Sequence, residues 1–417
     1  MSNTDIKWFS FDNTNAPQLT NTWGCMIDVL DACLVSGFGS QIVSSIVIEN
    51  GVGVATFGGA HNLKQFQVVE FSGANQSELN QEFKVLGLTV NTIEFIVSLP
   101  DQAATGTISC KLAPLGWAKE FSGLQKAVYR AKDVAKNPYF LRVDNSFQQY
   151  GLETGAKFAR VGILETCANI DDLSGKQAPF DPALPTKNWT DTNGGTAATT
   201  YKGWAKWYYA TSTTTLETST ADNTVARDGV RSWILVGSSN AFYILPSIAD
   251  ISQSAASNAH PYGFGVTEKK GDYFPFLSAR VSYLPVSSAS RLTFGNGLSQ
   301  NLTTSIQILK DYTGNITPTS ASFHVSGTTS TTENSGERNI FNPELDGTLL
   351  LGSMQLLQYV NKAYLGDLPL INEIYNNVAD YPAYYVFDEN NKAYLLKKCA
   401  MHVASSGGYI FDLGDIN

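Results

Sequence analysis

The sequence predicts a mainly β protein: an N-terminal arm and short helix, a small β-sandwich or barrel domain, then a larger irregular β domain with long loops. Three observations carry this reading. Only 16% of the 417 residues are charged, against about 25% in an average soluble domain. Ser, Thr, Asn, Gln and 35 Gly fill the deficit, a mixture that suits short strands and polar turns better than helix faces, which rely on Glu and Lys. Across residues 41–112 apolar and polar positions alternate with period two, the signature of half-buried strands. The length fits two or three domains, and 43% hydrophobic residues can fill their interiors.

The elements follow in order. Residues 1–40 form the arm and an amphipathic helix. Trp8, Phe9 and Phe11 stud a polar arm, which reads either as a terminal strand of the same molecule or, more sharply, as an arm packed on a neighbouring subunit. Thr22 is the expected N-cap, Met26, Ile27, Leu30, Cys33 and Leu34 recur at helical spacing, and Gly37 is the stop. Residues 41–114 form the small domain, with strands expected at 42–48, 52–57, 66–71, 83–90, 93–97 and 106–112, parted by turn residues such as Glu49-Asn50-Gly51. Residues 115–417 form the larger domain. Its clearest strands are 139–145, 158–167, a hairpin of 232–237 with 241–245, a second of 384–387 with 392–397, and a last strand at 409–413. Thr/Ser-rich loops are expected within 190–225 and 315–337.

Composition removes several function classes. The net charge is −9, with no basic cluster, so nucleic acid is not an expected partner. The most apolar stretch, 42–57, is broken by Ser44, Ser45, Glu49, Asn50 and glycines, short of the roughly 20 apolar residues of a membrane-spanning helix. The first residues lack a basic start and an apolar run, so no secretory signal is expected there and synthesis in a cytosol is. Five cysteines make no disulfide framework. All five are expected reduced and buried.

The search for catalytic or metal-binding residues yields none. The four histidines, His61, His260, His324 and His402, have no zinc-pair spacing. Cys399 and His402 fall on opposite faces of a strand. The acids Asp144, Asp171-Asp172 and Asp388-Glu389 read as turn acids and solvated charge, although two glycosidase carboxylates could come from anywhere in a β fold. No cofactor is expected. Aromatic residues are the stronger signal: Trp204, Trp207, Tyr208 and Tyr209 cluster between two Thr-rich segments. They read as a core strand, as interface anchors or as a sugar-stacking site. In 139–145, Leu141 and Val143 should face a core, leaving Arg142 and Asp144 on the opposite face, where Arg142 pairs with a carboxylate or contacts a neighbour.

Several runs together carry a family likeness: Asp31-Ala32-Cys33-Leu34-Val35-Ser36-Gly37-Phe38-Gly39, then Gly59-Ala60-His61, Gly73-Ala74 and Leu79-Asn80. Leu112-Ala113-Pro114-Leu115-Gly116-Trp117 follows, with Lys119 and Phe121. Lys126-Ala127-Val128-Tyr129-Arg130 then precedes Tyr139-Phe140-Leu141-Arg142-Val143-Asp144. In this order they resemble a family of tail-region structural proteins of tailed bacteriophages. Asn145 stands where the family commonly has a second acid, Glu120 stands where it has Pro, and the C-terminal third matches less. The resemblance implies a virion protein of the tail, tail tip or baseplate, made in the host cytoplasm and assembled with other tail proteins and with copies of itself. It transfers no catalytic residue. A receptor- or carbohydrate-binding module for a host-surface glycan is the alternative, and a polysaccharide or peptidoglycan hydrolase the third reading.

Overall fold

The computed structural model describes residues 3–147, 156, 158–192, 201–210, 226–247, 261–281, 306–325, 349–358, 360–374, 376, 378, 380–402 and 405–416. The Thr-rich stretches 193–200 and 211–224, residues 326–337 and His260 lie outside the described residues. The fold is mainly β, with an N-terminal strand and short helix, a curled half-barrel sheet, and larger irregular antiparallel sheets.

The alternation in 41–112 builds the half-barrel. Across it the strands run Glu82–Lys84, Val68–Ala74, Gly106–Leu112, Phe38–Glu49, Val52–Phe57, Thr92–Ile96 and Gly87–Leu88, with Gln102–Ala103 added beside Phe38–Glu49. Residues 83–90 do not form the single strand expected. They split into Glu82–Lys84 and Gly87–Leu88, which occupy opposite edges of the sheet. Val85 and Leu86 alone bridge the two, so the sheet must curl until its edges nearly meet. Phe71, Phe83 and Phe95 draw it closed, with ring centroids 4.6–5.8 Å apart.

The helix α1, Cys25–Leu30, continues as a π-helical turn, Asp31–Ser36, and ends at Gly37 with φ of 70°. A Cβ at Gly37 would overlap the Leu112 carbonyl, so both conformation and space require glycine there. Thr22 is not the N-cap. Gly24 holds that position in a left-handed conformation, without a side-chain cap of its own.

A seven-stranded sheet follows: Ala118–Gly123, Lys126–Arg130, Phe140–Asp144, Phe158–Leu164, Ala205–Tyr208 and Arg280–Val281, with Gln177–Ala178 paired to Phe158–Leu164. The largest sheet has twelve strands. It begins with Lys7–Ser10, then runs Trp233–Gly237, Ala241–Pro246, Tyr262–Lys269, Asp272–Ser278, Ile306–Lys310, Ile316–Val325, Leu351–Gln358, Tyr364–Ile374, Ser405–Asp415, Lys392–His402 and Tyr384–Glu389. Both expected hairpins are present, the second turning tightly through Asn390 and Asn391, each at positive φ.

Of the two readings of the arm the structure has the terminal strand, and one other expectation is corrected. The arm carrying Trp8 and Phe9 is a strand of this chain, paired antiparallel with Trp233–Gly237. It alternates Trp8 and Phe9 into the two cores on either face of the sheet, while Phe11 is half-buried against the first core. The Thr/Ser-rich stretch from 317 is not all loop: Ile316–Val325 is an inner strand between Ile306–Lys310 and Leu351–Gln358.

The twelve-stranded sheet rolls over on itself. Tyr243 meets Phe411 at 6.1 Å, Thr267 donates to the Leu365 carbonyl at 2.7 Å, and Trp8 on the first strand stands edge-on to Tyr384 on the last at 5.8 Å. The half-barrel closes the seam: the buried Lys84 ammonium donates to the carbonyls of Leu413 (2.6 Å) and Asp415 (3.1 Å). Lys7 bonds Glu82 at 2.7 Å and the Pro114 carbonyl. Among the described residues no helix is long and apolar enough to cross a membrane.

Candidate functional site

Three of the runs that carry the family likeness, 31–39, 112–117 with Lys119, and 126–130, meet at the end of α1. The carbonyls of Cys33 and Leu34, left without helical partners at its end, accept from the backbone N–H of Leu115 and Trp117, both at 2.9 Å. Asp31 accepts from Lys119 Nζ and from Tyr129 Oη, each at 2.7 Å. Burial is the main cause that lifts the Tyr129 phenol well above its ordinary value, with Asp31 adding to it, so it stays a donor. At the other end, Asn145 Oδ1 accepts from the N–H groups of Gly24 (3.0 Å) and Met26 (3.1 Å). Its Nδ2 donates to the Phe158 carbonyl (3.1 Å) and to Tyr209 Oη (2.7 Å). One buried amide therefore supplies the cap that the helix lacks locally and ties it to the strand Phe158–Leu164 and to Tyr209, just past Ala205–Tyr208. An acid could not do this, having no N–H to give.

The structure brings Trp204, Trp207, Tyr208 and Tyr209 together inside the protein, all buried. Trp207 stacks on Tyr262 at 6.1 Å, meets Phe242 edge-on, and donates its indole N–H to the Ser278 carbonyl at 2.9 Å. Tyr208 packs edge-on to Phe158, and its backbone N–H donates to Tyr262 Oη. Trp204 lies under the Lys187 ammonium at 4.2 Å. These rings are covered by the chain itself.

Leu141 and Val143 face the core, and the opposite face of their strand is buried too. Arg142 pairs with Asp144 (3.4 Å) and Asp171 (3.6 Å), donates Nε to the Ile170 carbonyl (3.0 Å), and lies 4.4 Å above the Trp189 ring. Burial lowers its pKa, and the two carboxylates oppose that. Segment 165–192 covers this face; nothing in the alternation of 139–145 signals it.

Several of the remaining chemical candidates are held by the fold. His61 is buried, its Nε2 at 3.1 Å from the Thr92 carbonyl and its Nδ1 accepting from the Leu63 N–H. Burial pushes the Cys399 thiol up to about 11, which disfavours thiolate. Four cysteines are buried; Cys167 is only half-buried, against expectation, and all five are free. Asp172 caps its own turn, accepting from Ala168 and Ser174. Among the described residues no group of three or more His, Cys, Asp or Glu could hold a metal ion.

Two surface features escaped the sequence reading. Tyr381, Tyr385, Phe387 and Tyr394 form an aromatic strip on the outer hairpin, with centroids 5.5–5.9 Å apart, and Tyr385 is 44% exposed. On the outer face of the half-barrel, Val47, Val52 and Ile96 are exposed.

No family model matches the chain, and no curated protein does. Among solved structures it is similar to the phage phi92 endosialidase, at 11% identity over 91% of this chain and 52% of that one, with a TM-score of 0.16. The chain thus spans about half the length of that protein. At such a score the likeness carries no argument about function.

Proposed function

We propose that the chain is a structural subunit of a bacteriophage tail, tail tip or baseplate, present in repeated copies and acting through assembly with other tail proteins. The observation that supports this best is the use made of the family-like runs. Those at 31–39, 112–119 and 126–130 hold α1, the half-barrel and the seven-stranded sheet to one another. Their polar groups serve internal bonds, the economy of a framework rather than of a reaction centre. In this reading the half-barrel, residues 41–114, is a presented unit, and residues 115–417 with the strand Lys7–Ser10 are the body that carries it. Light scattering of the purified chain and mass spectrometry of purified particles test the reading. Repeated copies in the particle are expected, and absence from particles refutes it.

A second reading, binding of a host-surface glycan, draws on the exposed aromatic strip rather than on the buried Trp207 group. Tyrosine rings offer both an apolar face and a hydroxyl, the pair a pyranose needs. Glycan-array binding that disappears in Tyr385→Ala is its expected result.

A further inference from the structure

The outer face of the half-barrel sets an apolar surface among acids. Strand register fixes which side chains share that face, since directly paired residues in an antiparallel sheet point the same way. Val47 pairs with Val54 and with Ala103, and Val52 pairs with Ile96. These five residues make a continuous apolar surface across four strands, with Val47 41% exposed. Around it stand Glu49, paired with Val52, Glu94, paired with Val54, and Asp101, whose carboxylate accepts from the Asn50 N–H. All three acids are exposed. Residues 38–57 and 92–106 contain no Lys or Arg, and among the described residues none of the three carboxylates has a cationic partner.

Elsewhere several surface acids do meet cations. Lys64 pairs with Asp12, Lys111 with Glu70 and Lys119 with Asp31. We infer that this face docks a different protein, through an apolar surface ringed by lysine or arginine. A second copy using the same face would set carboxylate against carboxylate, which costs association. The inference rests on the tail-subunit reading and names the chemistry of its partner.

Zero-length carbodiimide cross-linking of purified particles, read by mass spectrometry, tests it, because the reagent joins a carboxylate only to an amine in contact with it. Glu49, Glu94 or Asp101 should join lysines of another polypeptide. The double variant E49K/E94K, whose changes lie in solvent, should keep its melting temperature and drop at least tenfold in particle incorporation. Links solely to lysines of a second copy overturn the inference. So does incorporation unchanged in the double variant, or three carboxylates that react only with added small amine. Absence of the chain from particles overturns the tail-subunit reading and this inference with it; presence with those carboxylates open overturns the inference alone.

Discussion

Trp204, Trp207, Tyr208 and Tyr209 sit at and beside a strand flanked on both sides within the seven-stranded sheet. Tyr381, Tyr385, Phe387 and Tyr394 sit on and near the last strand of the twelve-stranded sheet, which has a neighbour on one side only. The first group is buried, with each described indole and phenol bonded or packed inside the chain. The second shares its packing with water. Aromatic content therefore does not locate a surface site; position in the sheet does. An inner strand covered on both faces consumes its rings, and an edge hairpin leaves some of them to a partner.

That contrast can be broken most directly at Trp207. Trp207→Ala removes a fully buried indole and its bond to Ser278, and should cost about 4 kcal/mol, read as a large fall in the urea midpoint. A variant of near-native stability would mean that the ring is not core. Next comes Asn145→Ala, which removes the side-chain acceptor of the Met26 N–H and the amide donor to the Phe158 carbonyl and Tyr209 Oη, while the Gly24 N–H keeps the residue 145 backbone carbonyl. About 3 kcal/mol is expected, with Asn145→Asp recovering only part of it because the donors are lost.

The seam between half-barrel and large sheet gives a smaller, pH-dependent effect. Burial lowers the Lys84 ammonium from 10.5 to about 8. Between those values the unfolded chain binds more protons than the folded one, so the Lys84 contribution to stability rises with pH across that window. The difference in unfolding free energy between wild type and Lys84→Met should shift by about 2 kcal/mol toward wild type from pH 7.5 to 10. A constant difference would refute this. The smallest change belongs to the aromatic strip: Tyr385→Ala should alter stability by less than about 1 kcal/mol while removing any glycan binding.

Much of the half-barrel was legible because one of its faces is dry and the other wet, which is what period two reports. Where both faces are covered the signal fails. The carboxylate pairing of Arg142 was legible, but not that its face is buried, because the cover comes from residues 165–192, which the local pattern does not contain. Ile316–Val325 was read as loop because Thr and Ser dominate it, yet an inner place in the sheet holds it as strand. The helix was visible, but its cap was not: Asn145 lies 121 residues beyond Gly24. The aromatic strip was missed because Tyr381, Tyr385 and Tyr394 are brought together by a hairpin rather than by adjacency in the chain.

The pairing of Lys7–Ser10 with Trp233–Gly237 also has a consequence in time. On the ribosome the first strand emerges more than two hundred residues before its partner. At typical synthesis rates, Trp8 and Phe9 precede that partner strand by about 10 to 45 s. The opening residues are thus the first of the large sheet to be made and among the last to be placed. A chaperone that holds the nascent strand would act during that interval.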